Sequence, residues 1–454
     1  MPFVSVNPAT GQQMQTYAGW DASHLEQALE KVRRAQQAWA QTSFAQRAEV
    51  LLKVAVHLRA QRDRYAPLIS LEMGKPLREA RAEVEKCAGV CDFYAQHAEE
   101  FMRSEPVASD AVKSYVAYYP LGVVLAIMPW NFPFWQVFRA AAPALMAGNA
   151  LALKHAPNVP QCALAIEKIF RDCGLPEYVF ANLMIEVDQA AEAIASPHVH
   201  AVTLTGSEAA GRKVAACAGQ HLKKCVLELG GSDPFIVLHD ADLEYTVNMA
   251  VASRFLNCGQ SCIAAKRFIV VPQIADEFLQ RFKIKVEALN VGDPMDDAVQ
   301  IGPMARPDLR DELHRQIVDS IAQGAVAVTG CRPIQQTGFF YQPSILDHVT
   351  PNTRAWHEEL FGPVAIVIRA KNEEDALRIA NETRFGLGSS IWSQDTARAE
   401  QMAQQIQAGC TFINGMVKSD PRLPFGGIKA SGFGRELSYQ GLREFVNEKT
   451  VWVK

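Results

Sequence analysis

No stretch of the 454-residue chain stays apolar long enough to cross a bilayer; its longest apolar runs break off short of the ~20 residues that a spanning helix needs. Blocks of like charge are missing as well. The formal net charge of −4 is spread without a basic cluster, so neither nucleic acid nor a membrane surface is expected as a partner. Met1 to Trp20 lacks the charged-then-apolar pattern of a secretory signal. The ten cysteines are scattered at irregular spacing, which argues against a disulfide framework and for a reducing, cytoplasmic setting. Cys258 and Cys262 lack the Cys-x-x-Cys spacing and a nearby His, so no metal is expected there. No internal repeat and no low-complexity segment is present.

What remains is an ordinary globular composition, 49% hydrophobic, long enough to bury a large core and to divide into two or three domains. Between Asp21 and Glu100 apolar residues recur at spacings of three and four, in Leu25 to Trp39, Val50 to Leu58 and Val84 to Tyr94, which predicts helices interrupted at Gly74-Lys75-Pro76. From Tyr115 onward short apolar strands alternate with helical stretches. The strands are expected near Leu121 to Met128, Ala150 to Leu153, Val202 to Leu204 and Val226 to Leu229. A second series follows Cys262, near Phe268 to Val271, Ala325 to Val328, Val364 to Ile368 and Thr411 to Ile413. Such alternation implies right-handed βαβ units on parallel, doubly wound sheets, hence an α/β fold with two α/β domains.

Four groups stand where chemistry is commonly displayed. Cys262, in Asn257-Cys258-Gly259-Gln260-Ser261-Cys262, falls between a helix-like run and a strand; Lys266 and Arg267 are sequence-close cations that can favour its thiolate, while a lone Cys more often serves as a small buried hydrophobe. Lys154 closes a strand at the end where open parallel sheets bind ligands, against the plainer reading of a solvated Lys. Thr205-Gly206-Ser207-Glu208-Ala209-Ala210-Gly211 joins a strand to a helix and can receive an anion, although it is neither a dinucleotide fingerprint nor a Walker loop and such turns are common as structure alone. Glu228 ends an apolar strand before Gly230 and Gly231; burial there would raise its pKa as a general base requires, whereas a strand-end carboxylate pointing to water is the commoner case.

Taken together, Pro129-Trp130-Asn131-Phe132-Pro133, Lys154, the Gly206 to Gly211 turn, Leu227-Glu228-Leu229-Gly230-Gly231, Gly259 to Cys262, Glu358-Glu359-Leu360-Phe361-Gly362-Pro363 and Pro424-Phe425-Gly426-Gly427-Ile428-Lys429 follow the order and spacing of a known family. The chain resembles the NAD(P)-dependent aldehyde dehydrogenases over essentially its whole length, and within them the shorter bacterial succinate-semialdehyde dehydrogenases. The resemblance implies a cofactor-binding domain at 1–112 and 120–229, a catalytic domain at 230–432, and a small β bridging segment at 113–119 and 433–454 that assembles a homodimer or homotetramer. It implies Cys262 as nucleophile, Asn131 and the Cys262 N–H as oxyanion donors, and Glu228 as the base for thioester hydrolysis. The cofactor would be held by Trp130, Asn131, Lys154, His155, Ala156, Pro157, Gly206, Ser207, Leu229, Glu359 and Phe361.

Substrate and cofactor choice rest on single positions. Arg139, eight residues after Asn131 on a helix-like run, stands where the resemblance implies a carboxylate anchor, with Ser419 as a second contact and Trp135, Ser261 and Phe425 as tunnel walls; the alternative is a helix Arg paired with a structural carboxylate. Leu256 replaces a second Arg seen in some relatives, so glutarate semialdehyde or aliphatic aldehydes are alternative substrates to succinate semialdehyde. Pro157 offers neither a charge against a 2′-phosphate nor a donor for it, which leads to NAD as preferred cofactor with NADP possible. Ile263 and Ala264 follow Cys262, so the neighbouring-cysteine disulfide of some relatives cannot form. A cysteine hydrolase and a non-catalytic member of the fold are the remaining readings. The first lacks a His near Cys262 or Glu228 in sequence, and the second would expect losses among Asn131, Glu228 and Cys262, all of which are present.

Overall fold

The computed structural model describes residues 2–454. Four helices, Ala22–Trp39, Phe44–Ala60, Arg62–Met73 and Leu77–Phe101, fill the region where apolar spacing predicts them. The Gly74-Lys75-Pro76 break is real: Gly74 takes φ +83 to end the third helix, and Pro76 precedes the first residue of the fourth.

Two sheets follow. The first has the order Gly432–Phe433, Lys224–Glu228, Ala201–Thr205, Val123–Met128, Ala150–His155, Phe180–Asn182, all parallel except the antiparallel edge pair at Gly432–Phe433. The second has the order Val326–Thr329, Ser344–Asp347, Val364–Arg369, Ala265–Val270, Asp233–Val237, Ser390–Trp392, Phe412–Ile413, again parallel but for its first pair. Its strands are apolar on both faces, as sheets covered by helices on both sides require. The second series therefore begins before Cys262, at Asp233, and not after it. Asp233–Val237 is too short and too close to the preceding strand for periodicity alone to separate it.

Each sheet has its own apolar core, one built mainly from residues before Leu229 and one mainly from residues after it. The carboxyl end of Lys224–Glu228 meets the segment that leads into Ala265–Val270, where a Cβ at Gly231 would stand only 2.7 Å from Cys262 O, and this brings motifs far apart in sequence together. A third, antiparallel sheet pairs Val446–Val453 with Lys113–Pro120 in unbroken register, Val446 opposite Pro120 and Val453 opposite Lys113. The two parts of the bridging segment implied by the resemblance thus pair with each other within the chain, and the outer edge of Val446–Val453 stays open with Trp452 and Val453 exposed. Among the described residues no helix is long and apolar enough to cross a membrane, and no group of three or more His, Cys, Asp or Glu is placed to hold a metal ion.

Candidate active site

Cys262 is displayed by a tight turn. The helix Leu243–Phe255 ends, and Asn257, Cys258 and Gly259 then take positive φ of 56, 55 and 68 in succession. Two non-glycine residues in this region cost about 1–2 kcal/mol each, so the turn must be held from outside. Arg254 holds it from below: its buried guanidinium donates to the carbonyls of Gly259, Ala265, Leu360 and Gly362, tying the Cys262 segment to the segment that carries Phe361. Asn257 holds it from the side, donating from its backbone to Glu79 at 2.7 Å and from its side chain to Asn131 O at 2.7 Å and Gln260 O at 3.0 Å. Neither Arg254 nor Asn257 carries a sequence signal for this task.

The two cations near Cys262 in sequence do not face its sulfur. Lys266 donates to the carbonyls of Ser261 and Cys262 at 2.9 and 2.8 Å and pairs with Glu359 at 3.2 Å, while Arg267 turns away to Ser232, Ile379 and Ala380. Burial pushes the Cys262 thiol up to about 12, against the weaker opposing pull of Arg139 and Lys266. Of the two sequence-close cations, Lys266 favours the thiolate as expected, but burial is the larger effect and favours the thiol. The Cys262 N–H makes no hydrogen bond among the described residues. Asn131 donates one N–H to Gln260 O at 3.1 Å, which leaves its second amide N–H available.

Cys262 opens into a narrow cavity of about 100 Å³, and Trp135, Arg139, Ser261, Ser419 and Phe425, all named from sequence, line it together with Leu256. This is well under the roughly 300–1,000 Å³ of sites that hold drug-sized ligands, and it suits a short aldehyde. The wall contains no Asp, no Glu and no His, but three cations: Arg139, Lys418 and Lys86. Lys86 is missing from the sequence reading because it lies on the helix Leu77–Phe101, where a Lys among Glu83 and Glu85 looks like part of a solvated face. It is half-buried, and the loss of solvent pulls its ammonium down to about 8.

Arg139 is not free. Its Nε is in an ion pair with Glu436 Oε2, its second guanidinium nitrogen donates to Thr205 Oγ1 at 3.3 Å, and the Phe425 ring lies 4.9 Å from it. The structure thus gives Arg139 a structural carboxylate partner, the alternative reading of that position, while it keeps a place on the cavity wall. Glu228 lies in the same interior, 1% exposed, with neither carboxylate oxygen hydrogen-bonded. Burial holds its pKa well above the usual carboxylate range, and the charge of Glu436 adds to that. A solvent-facing strand end is excluded.

The cofactor residues named from sequence gather at the carboxyl ends of the first sheet. Lys154 is buried, its Nζ donates to His155 O at 3.1 Å, and burial pulls it down to about 8, so it is not a solvated surface Lys. His155 is held neutral, pulled down to about 4 by burial; its Nδ1 accepts from Ala156 N, which leaves Nε2–H to donate to Pro133 O at 2.8 Å. Its role is to fix this corner. Both polar atoms of the neighbouring Asn158 amide are buried without a partner, an open donor and acceptor beside Lys154 and Pro157. Ser207 caps the helix Glu208–Gln220, and Gly206 N donates to Glu228 O at 3.0 Å. Gly211 is a packing glycine rather than an anion contact, because a Cβ there would stand 2.5 Å from the Leu229 side chain. Trp130 and Phe361 meet edge to face at 5.8 Å, and Glu359 accepts from Gly231 N at 3.1 Å. Lys154, Asn158, Ser207 and Glu359 together fit the hydroxyl-rich and anionic parts of a dinucleotide.

Comparison with known proteins agrees with this geometry. The aldehyde dehydrogenase family model matches residues 2–451. A probable succinate-semialdehyde dehydrogenase [NADP(+)] of Synechocystis sp. is 51% identical over 453 residues, covering all of both chains. Succinate semialdehyde dehydrogenase [NAD(P)+] Sad of Escherichia coli is 48% identical over 99% of this chain and 97% of its own. The crystal structure of succinic semialdehyde dehydrogenase from Streptococcus pyogenes, in complex with NADP+, superposes with a TM-score of 0.97 at 37% identity over 99% of each chain. With a family match over residues 2–451 and relatives near half identity over the full chain, the chain belongs to the aldehyde dehydrogenase family.

Proposed function

We propose that this chain oxidises succinate semialdehyde to succinate with NADP or NAD, and that the acid-free, cation-bearing cavity at Cys262 is the observation that carries the substrate. A short aldehyde with a distal carboxylate matches both its size and its charge. Cys262 sulfur attacks the carbonyl carbon, its proton passing to solvent water, and the oxyanion accepts from the Cys262 N–H and the free amide N–H of Asn131. The nicotinamide cofactor, when bound, accepts the hydride that leaves this carbon. The resulting thioester is cleaved by water whose proton Glu228 takes, releasing the acid and restoring the thiol. The apolar enclosure of Glu228 supports this role, since a raised pKa makes it a stronger base once ionised.

For the cofactor, the expectation that NAD is preferred finds no support among the relatives, whose names read NADP(+) or NAD(P)+. We propose NADP use at least equal to NAD use, supported by the buried Lys154 and by the absence of any acid at Pro157. Lys154, Asn158 and Ser207 would hold the adenosine half, and Glu359 the nicotinamide ribose beside Trp130 and Phe361. Assembly through the open edge of Val446–Val453 into a dimer or tetramer remains part of the proposal, as does the division of the chain at 112, 229 and 432. The deciding experiment is steady-state kinetics with succinate semialdehyde, glutarate semialdehyde and butanal, each with NAD and NADP. Succinate semialdehyde is expected to give the highest kcat/KM, and Cys262→Ala to abolish turnover with every aldehyde. Butanal as the best substrate would overturn the substrate reading; activity in Cys262→Ala would overturn the mechanism.

A further inference from the structure

Lys86 reaches the cavity from a helix that contributes none of the family motifs. Its Nζ donates to Ser419 Oγ at 2.6 Å and stands 4.2 Å from the centre of the Trp135 ring. The acid nearest on its own helix, Glu83, is spent elsewhere: it pairs with Lys75 and accepts from the N–H groups of Phe134 and Trp135 at 2.9 Å each. An ammonium has three N–H donors, and here one hydroxyl accepts from it while a ring face supplies a weak second contact. Among the described residues no carboxylate forms an ion pair with it. The other cations of the cavity wall are accounted for, since Glu436 neutralises Arg139 and Lys418 is exposed to solvent. Lys86 is a half-buried cation on the cavity wall without a counter-ion, which leaves its remaining N–H donors open to a ligand that supplies the missing charge.

We infer that Lys86, with the Ser419 hydroxyl beside it, is the group that binds the distal carboxylate of the substrate. Ser419 accepts from Lys86, so its own O–H is free to donate to the same carboxylate, and the Trp135 ring lies against the ammonium. The assignment rests on the reading of the substrate as a carboxylate-bearing aldehyde, and it explains how a cavity with Leu256 on one wall and a neutralised Arg139 on another selects one.

The test compares Lys86→Gln and Lys86→Arg with the unaltered full-length enzyme on succinate semialdehyde and on butanal, its uncharged counterpart. The ratio of kcat/KM for the semialdehyde to that for butanal is expected to fall roughly 10- to 100-fold in Lys86→Gln, mostly through KM, and to recover most of the way in Lys86→Arg. Binding is read separately by iodoacetamide labelling of Cys262: succinate is expected to slow labelling in the unaltered enzyme and in Lys86→Arg, and not in Lys86→Gln. A ratio unchanged in Lys86→Gln, or succinate protection that survives that change, overturns the inference. Should the unaltered enzyme prefer butanal, the substrate reading fails, and succinate protection still decides whether Lys86 holds a carboxylate in this cavity.

Discussion

Arg139 and Glu436 form an ion pair inside the protein, with side chains only 2% and 5% exposed, and Glu228 shares their surroundings. The pair fixes one cation that a substrate would otherwise find open. It also keeps a second negative charge near the group assigned as base. Removing one partner of a buried pair typically costs about 3–5 kcal/mol, because the other is left charged and uncompensated. Arg139→Ala is therefore expected to lower the urea midpoint markedly and to reduce kcat/KM for succinate semialdehyde and butanal by similar factors. A loss confined to the semialdehyde would return Arg139 to the role of carboxylate anchor.

The buried Glu228 carboxyl makes stability depend on pH. Its folded pKa lies above the unfolded value of about 4.3, so its contribution to stability is fully present below that pH and is lost as pH rises through the folded pKa. Glu228→Gln removes the charge and keeps the shape. The variant is expected to melt at a higher temperature than the parent at pH 8, with the gap closing as the pH falls toward 4. Its turnover should fall by roughly 10²–10⁴ with a thioester accumulating on Cys262, detectable by mass spectrometry of the acid-quenched enzyme. Equal melting curves at pH 8 would show that Glu228 has a partner in solution.

Much of this site is legible in the sequence, and what is not has a physical reason. Cys262, Glu228, Asn131 and Lys154 sit at element junctions next to Gly, Pro or aromatic residues, and such junctions are readable from local pattern. Every tunnel residue named from sequence lies on the cavity wall. The charge partners are not readable in this way, because they come from distant segments: Glu436 reaches Arg139 across 297 positions, and Lys86 reaches Ser419 across 333. Local pattern also cannot show which atoms a cation faces: Lys266 bonds the Cys262 carbonyl, and Arg267 turns away to Ser232, Ile379 and Ala380. In the fold, the strand missed before Cys262, Asp233–Val237, follows Glu228 by only a few residues, and no helix lies between to mark the change of sheet.

Pro157 follows Lys154 and His155 at the mouth of the first sheet, half-buried and without charge. A carboxylate there would stand close to where the adenine ribose is proposed to lie and would repel a 2′-phosphate while accepting from a 2′-hydroxyl. Pro157→Glu is expected to lower kcat/KM for NADP by about 10- to 100-fold and to leave that for NAD within a factor of about three. A parallel fall with both cofactors would place the adenosine elsewhere.

Arg254 braces the turn that displays Cys262. Its guanidinium, fully buried, joins the carbonyls of Gly259 and Ala265, on either side of Cys262, to those of Leu360 and Gly362, on either side of Phe361. The left-handed conformations of Asn257 and Cys258 are maintained by this tie and by the Asn257 contacts, and a Cβ at Gly259 would press on both Gly362 O and Arg254. Arg254→Lys keeps the charge but not the planar fork, so at least one buried carbonyl loses its donor at about 1–3 kcal/mol. Misplacing a nucleophile by about 1 Å costs on the order of 10² in rate. The variant is expected to unfold at lower urea, to lose about 10² in kcat, and to show a raised KM for NADP because the Phe361 segment moves with the turn. A variant that loses stability but keeps kcat would show that the Asn257 contacts to Glu79 and Asn131 are sufficient to hold Cys262 in place.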